Sequence, residues 1–363
     1  MVGQGSSTGQ HDAVGYQNTA DRLCPDRGIG GFDFVVMGDM PYNTKEINRD
    51  QHFERLIAAI NKLQPAFSIH VGDIKSGSTL CDDATLEKIK AYFMTFQQPL
   101  VYTPGDNEWT DCHRKSNGPF DPIERLAKIR NMFFPKAASW GQQTLAVTRQ
   151  SDVSAFTHMV ENARWTTQNI LFVTVHVVGS NNNLRQNREA TLEFLERNQA
   201  NVAWINEAFA VAKRDGVQGI VLAMQANPDW RARHGDGNGF QDTVEALATN
   251  AAEFGKPLLI VHGDTHTFGI DQPLRHPKDN KKILTTSCGW KSSAMNISMR
   301  CVYWSTRRIP CRSLFSRCLS LKTWSSCSAK CCTRLIAPPG AKRGVRSMTG
   351  GAERPHALSG SRA

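Results

Sequence analysis

Four times in this chain a short apolar run ends in Gly-Asp. The runs are Phe34-Val-Val-Met-Gly-Asp39, Phe67-Ser-Ile-His-Val-Gly-Asp73, Leu100-Val-Tyr-Thr-Pro-Gly-Asp106 and Leu258-Leu-Ile-Val-His-Gly-Asp264. Each reads as a buried strand that stops at a Gly-permitted bend, with a carboxylate just past the strand end. Open α/β sheets carry their sites at the carboxyl ends of their strands. Carboxylates delivered this way converge on one spot. Clustered, unpaired carboxylates repel, so the chemistry that suits them is the binding of a multivalent cation.

The elements that must position these acids alternate in type. Residues 32–38 read as a strand, followed by a helix to about Lys62 with Thr44 as its N-cap and Phe53, Leu56, Ile57 and Ile60 at helical spacing. A strand over 66–72, a helix over 82–97, a strand over 100–103 and a helix from Asp121 to Phe134 complete the opening third. This order is the signature of parallel βαβ units. The middle is less regular. Residues 145–149 and 153–160 read as a hairpin or two edge strands, 170–178 as a β-branched strand, and the stretch to Arg214 as a long helix. A strand over 219–225, a helix over 241–254 and a strand over 257–262 follow, with 267–271 and 283–286 as a closing pair.

At 363 residues the chain can bury a sizeable core. No apolar run approaches the ~20 residues of a membrane-spanning helix. The net charge of +10 is unevenly spread. Residues 291–363 hold 14 Lys and Arg against the single acid Glu353, whereas residues 1–290 hold 29 basic and 32 acidic residues. Six of the ten cysteines also lie in this tail, and its hydrophobic periodicity is lost. Two readings of 291–363 stand. It is a basic tail suited to nucleic acid or an anionic surface, or it is read out of frame, in which case the last strands of the domain are missing. Its Cys327, Cys331 and Cys332 lack the paired C-x-x-C spacing of a metal module. Residues 1–30 read as a disordered leader without the basic and apolar regions of a signal peptide. The organised domain is therefore expected over 31–290.

The ordered set Gly-Asp39, Gly-Asp73, Gly-Asp106-Asn-Glu, Gln225-Ala-Asn-Pro and Gly-Asp264-Thr-His266 resembles the motifs of the calcineurin-like metallophosphoesterases. The resemblance spans about residues 32–290. It implies a four-layer α/β/β/α sandwich with two divalent metals at the strand ends. It also implies hydrolysis of a small phosphorylated substrate, an ester or anhydride, by a metal-bridging hydroxide. Asp39 matches a ligand of one metal, Asp73 the bridging ligand, and His266 the last histidine ligand. Five positions depart from the family pattern. Pro41 and Asn107 stand where the family has histidines, Asn107 at the proton donor. Asp106 stands for an asparagine ligand, and Gln225 and Asp264 stand for histidine ligands. A one-residue slip would instead make Asn107 the ligand and put Glu108 at the histidine position. The resemblance thus implies a metal set of Asp39, Asp73, Asp106, Asn107, Gln225, Asp264 and His266, with Asp73, Asn107 and His266 closest to the chemistry. The set is rich in oxygen, which favours Mn²⁺ or Mg²⁺ over Zn²⁺, with iron a further candidate.

Other residues are weighed beside this set. Tyr42, three after Asp39, resembles the metal-ligating tyrosine of the purple acid phosphatases but follows a different motif, so a packing or turn role is expected, with metal ligation or a substrate contact as the alternatives. His113, Asn182 and Asn227 are candidate substrate contacts, against surface, capping and loop roles. Arg231 and His234 could meet a phosphate. Lys75 and Lys115 read as solvated loop lysines. His70, His176 and His262, inside strands, read as core histidines. Trp109 reads as the lid of a loop core. Cys81 and Cys112 each follow a metal loop and are candidates for a disulfide. Such a bond implies a secreted or periplasmic protein, whereas free thiols with no signal peptide imply a cytoplasmic one. The sequence offers no Gly-rich phosphate loop and no Ser/His/Asp arrangement as a competing site. It sets no oligomeric state.

Overall fold

The computed structural model of the chain describes residues 32–42, 49–184, 187–230, 235, 237–291, 298–303 and 318–320. The leader, Thr44, Arg231, His234 and most of the basic tail lie outside the described residues. The opening third runs β1 (Asp33–Met37), α1 (Arg49–Leu63), β2 (Phe67–His70), α2 (Asp83–Phe93), β3 (Leu100–Tyr102) and α3 (Pro122–Phe133). Local signals set these boundaries. Asp82 accepts the Thr85 N–H at 2.8 Å and starts α2. Asp121 accepts the Ile123 N–H at 2.7 Å and starts α3, with Pro122 at the first helical position.

The second half runs β4 (Thr148–Arg149), β5 (Ala163–Thr167), β6 (Ile170–Thr174), the four-residue turn α4 (Gly179–Asn182), α5 (Arg188–Arg214), β7 (Gly219–Ala223), α6 (Gln241–Phe254) and β8 (Leu258–His262). Then come β9 (Gly269–Asp271), β10 (Arg275–His276), β11 (Asp279–Ile283), β12 (Ser287–Lys291), β13 (Ser298–Tyr303) and β14 (Cys318–Ser320). One sheet has the order β14-β13-β1-β2-β3 and the other β4-β5-β6-β7-β8-β12-β9. Parallel pairing of β1 with β2 and β2 with β3 confirms the βαβ reading. Past Lys291, the backbone of β13 pairs antiparallel with β1, and β14 pairs with β13.

Two expectations are corrected. Residues 153–160 are not a strand but short 3₁₀ turns, and the partner of β4 is β5, whose buried Ala163 and Trp165 alternate with Arg164 and Thr166. The closing pair is also different: β9 pairs with β12 rather than with 283–286, and a separate hairpin, β10 with β11, lies between them.

Three cores show the layering. Val35 and Met37 point to α1, α2 and α3, with Phe53, Leu86 and Ile129. Phe34 and Val36 point the other way, to Phe172, Val221 and Leu259 of the second sheet. The opposite face of that sheet, with Leu171, Leu222 and Ile260, meets Trp204, Phe209 and Leu247 of α5 and α6. Because side chains alternate along a strand, each sheet feeds two cores. The result is a four-layer α/β/β/α sandwich. No helix among the described residues is long and apolar enough to cross a membrane.

Candidate metal centre

The acids sit on loops that leave β1, β2, β3 and β8, and the loops after β6 and β7 face them. Asp39, Asp73, Asp264 and His266 all adopt left-handed backbone, with φ of 55°, 57°, 68° and 52°. Aspartate tolerates this region better than most residues, and such backbone concentrates at functional sites. Gly72, with φ of 91°, makes the bend expected of it, whereas Gly105 and Gly263 serve a different purpose. A Cβ on Gly105 would lie 2.2 Å from Asp73 Oδ1, and one on Gly263 would lie 2.8 Å from Asp39 Oδ2. These two glycines let neighbouring loops approach each other.

One ligating atom each from Asp39, Asp73 and His266 lies within 4.8 Å of the others. Asp39 and Asp73 are buried, and Asp39 Oδ1 accepts the Asp264 N–H at 2.8 Å. Tyr42 is not a packing residue. Its hydroxyl donates to Asp73 Oδ2 at 2.8 Å and accepts from Asn107 Nδ2 at 2.7 Å. The Tyr42 ring also stands edge-on to His266 at 5.5 Å. Asn107 donates to Asp73 twice, from its backbone N–H to Oδ1 at 3.2 Å and from Nδ2 to Oδ2 at 2.8 Å. A Cβ on Gly77 would meet Asn107 Oδ1 at 2.9 Å, so the amide oxygen faces that loop. In this orientation Asn107 steadies Asp73 rather than offering an oxygen to a cation.

Gln225 is likewise placed as a strut. Its Oε1 accepts the Gly179 N–H at 2.6 Å, and its Nε2 donates to Asp106 Oδ1 at 3.1 Å. The oxygen expected to ligate is thus engaged by the backbone. Ser180 Oγ lies 2.8 Å from Asp106 Oδ2 and 2.9 Å from Asp111 Oδ1, and its one proton serves one acid at a time. Asp264 Oδ2 accepts the Asn227 N–H at 3.4 Å. Beside it opens a cavity of about 690 Å³ lined by Asn227, Pro228, Trp230, Ile270 and Pro273. The Asn227 Oδ1 there is buried and has no partner.

The electrostatics are those of crowded acids. Burial pushes the Asp73 carboxyl well above its ordinary range, and the charges of Asp106, Glu108 and Asp39 push it further. Burial and the charge of Asp106 raise Asp264 to about 7. Glu108 is fully buried beneath the loop and accepts from Tyr102, Gly105 and Asp73, and its burial raises it to about 7. Burial also holds the Tyr42 phenol well above its usual value, reinforced by Asp73. Lys75 is corrected from a solvated residue to a buried one. Desolvation lowers it to about 8 while Glu108, Asp73, Asp111 and Asp106 pull the other way. Lys75 and Arg114, the latter on Asp111 at 2.7 Å, are outnumbered by the carboxylates, and a divalent cation fits that deficit.

Other expectations resolve separately. Cys81 and Cys112 form a disulfide, and both sulfurs lie 3.7 Å from the Asn107 carbonyl oxygen. The bond therefore sits directly under the third motif. Asn182 is no substrate contact. It is fully buried, its amide donates to Gly239 O, and its oxygen accepts from Val178 N and Arg197 Nη1. His113 is exposed with its ring held against Thr110 O, and no bond joins it to the acids. Trp109 is fully buried with Leu126 and Val178. His70 and His262 are buried core residues, and His176 is buried against Glu161 at 2.7 Å. Sequence reasoning missed Ser180, Asp111 and Gly179. The signal for Asp111 was its place five residues after Asp106, on a turn that returns it to the same acid.

A four-layer sandwich with an acid cluster at strand ends between its sheets defines a class of metal-site α/β proteins. Within that class, the chain belongs to the calcineurin-like phosphoesterase family, whose model matches residues 32–268. No curated protein matches the chain. Among solved structures it is similar to a dimetal phosphatase from Danio rerio, at 10% identity and a TM-score of 0.46, over 75% of this chain and 95% of that one. It is also similar to GAP50, the anchor in the inner membrane complex of Plasmodium, at 12% identity and a TM-score of 0.42, over 72% and 71%.

Proposed function

We propose that the chain hydrolyses a small phosphate ester or anhydride with two divalent cations held by its acid cluster. The observation that carries this reading is the approach of Asp39, Asp73 and His266 to within 4.8 Å. Asp39 and His266 would hold one cation, Asp73 would lie between the two, and Asp264 and Asp106 would face the second. Oxygen donors dominate, which supports Mn²⁺ or Mg²⁺ over Zn²⁺, with iron a further candidate beside the Tyr42 phenol. When bound, such a pair acidifies water and offsets charge on the phosphoryl oxygens. Tyr42 and Asn107 orient Asp73 through its Oδ2. Asn107 carries no acidic proton for a leaving group, so activated diesters and anhydrides suit the site better than alkyl monoesters. The cavity beside Asp264 would take the organic part of the substrate, with Asn227 Oδ1 as acceptor. The disulfide supports a secreted or periplasmic setting. A nucleic-acid partner rests on the basic tail, outside the described residues.

A second reading is a non-catalytic descendant that binds metal or a ligand. It is favoured by Asn107 in the proton donor's place, with its NH₂ turned onto Asp73. Metal analysis together with a bis-nitrophenyl phosphate assay in Mn²⁺ separates the two. The first reading expects two bound metals and turnover that falls ~100-fold or more in Asp73→Asn. Metal without turnover selects the second reading. Turnover that survives Asp73→Asn overturns the first.

A further inference from the structure

A second cavity, of about 740 Å³, lies on another face of the domain. It is bounded by the outer side of α3, the loop from β4 to β5, and the first turns of α5. Its volume is that of a small-molecule site, ~300–1,000 Å³. Apolar walls come from two elements: Ile123, Leu126 and Phe134 in and just after α3, and Leu192 on α5. Leu192 is 58% exposed and presents an apolar side chain at the rim of the cavity.

Arg149, at the edge of β4, lines this cavity. It is only 9% exposed, and its Nη2 has no hydrogen-bond partner. A buried guanidinium N–H ordinarily has a hydrogen-bond partner, and this nitrogen has none although the Asp152 charge lies nearby. Two other charged groups in the wall are paired. Arg130 donates to Glu161 at 2.7 Å, and Glu193 accepts from Arg197 at 2.6 Å. Asp152 takes the backbone N–H of Arg149, not its guanidinium, at 3.0 Å. Burial lowers Arg149, and Asp152 is the carboxylate that opposes this.

The cavity thus offers a guanidinium with an unpartnered nitrogen beside apolar walls. Exposed Glu189 and Glu196 also line it. Their charges repel a dianion such as a phosphate monoester more than they repel a single carboxylate. We infer that this cavity binds a small monocarboxylate with an apolar body, its carboxylate on the Arg149 guanidinium and its body against Ile123, Phe134 and Leu192. A guanidinium meets a carboxylate through two parallel N–H bonds, which is the partner the Arg149 Nη2 lacks. The site stands apart from the acid cluster and does not depend on the phosphoesterase reading.

Calorimetric and NMR titrations of the metal-loaded full chain test it, with hexanoate and 4-phenylbutyrate as probes and hexylamine and hexyl phosphate as controls. The carboxylates are expected to saturate one site and shift amides of α3 and α5. Arg149→Met is expected to weaken them ~10-fold or more, and Arg149→Lys less. Leu192→Asp, at an exposed position where folding is undisturbed, is expected to weaken them several-fold. The inference is overturned if the carboxylates fail to bind below about 10 mM. It is equally overturned if hexyl phosphate binds as tightly, or if Leu192→Asp and the Arg149 variants bind as the parent does.

Discussion

His70 shows how one buried ring ties the metal loops together. Its Nε2 lies 3.1 Å from Met40 O, and its Nδ1 accepts the Gly72 N–H at 3.3 Å. Those partners adjoin Asp39 and Asp73. Both ring nitrogens are therefore engaged in the neutral form, Nε2 as donor and Nδ1 as acceptor. A second proton would break the bond from Gly72, and burial lowers the ring to about 4. The unfolded chain takes up this proton near pH 6.5, before the folded one does. The His70 contribution to stability is therefore expected to be complete above about pH 6.5 and to fall by on the order of 2–3 kcal/mol as pH drops toward 4, whereas Asp264 and Glu108, raised to about 7, act in the opposite direction. Denaturant titrations at pH 7 and pH 4.5 check this. His70→Gln should remove that contribution from the difference between the two pH values, and a difference equal to the parent's refutes the assignment. At this scale the sequence was legible for Asp39, Asp73 and His266, which the order of the family's motifs marks. It was not legible for Tyr42 and Lys75, because nothing in a loop sequence tells whether a side chain turns inward.

At the scale of elements, the Gly-Asp loops are held by more than their strands. The Cys81–Cys112 bond closes a separation of 31 residues and lies against the Asn107 carbonyl. Loop closure of that length contributes about 3–4 kcal/mol. A Cys81→Ser, Cys112→Ser double variant is expected to lose about that much in urea unfolding and to bind Mn²⁺ more weakly by metal titration. Reductant should do the same to the parent and nothing to the variant. The strand-helix order and the helix starts at Asp82 and Asp121 were readable from spacing, since those two residues act within their own turns. The pairings of β5 and of β9 with β12 were not, because short strands in the second sheet choose partners across long loops. Similarly, the turn at Gly179–Asn182 reads as a cap in sequence, yet it delivers Ser180 to Asp106.

For the whole molecule, the inter-sheet core decides whether the loops of the two sheets meet. Phe172 of β6 stands 4.8 Å from Phe67, 5.1 Å from Phe34 and 5.3 Å from Trp165, ring to ring. These rings join the two sheets across the middle of the sandwich. Phe172→Ala is expected to cost about 3–5 kcal/mol, read as a lower urea midpoint at unchanged slope. Because β6 also leads to Gly179 and Ser180, Mn²⁺ affinity should fall with it. A midpoint within experimental error of the parent would remove this core from its assigned role.

The sequence by itself determined the acids, their order, and the alternation that makes each sheet two-faced. These depend on residue type and on local periodicity, and both are carried by neighbouring positions. Only the tertiary structure decided that Gln225 and Asn107 face Asp106 and Asp73 as donors, that Ser180 and Asp111 join them, and that an Arg149 nitrogen is buried without a partner. Those outcomes depend on which loops the two sheets bring together, over separations such as the 119 residues between Asp106 and Gln225. No local pattern encodes a contact of that range, since the packing of the whole sandwich must form before either side chain has a partner.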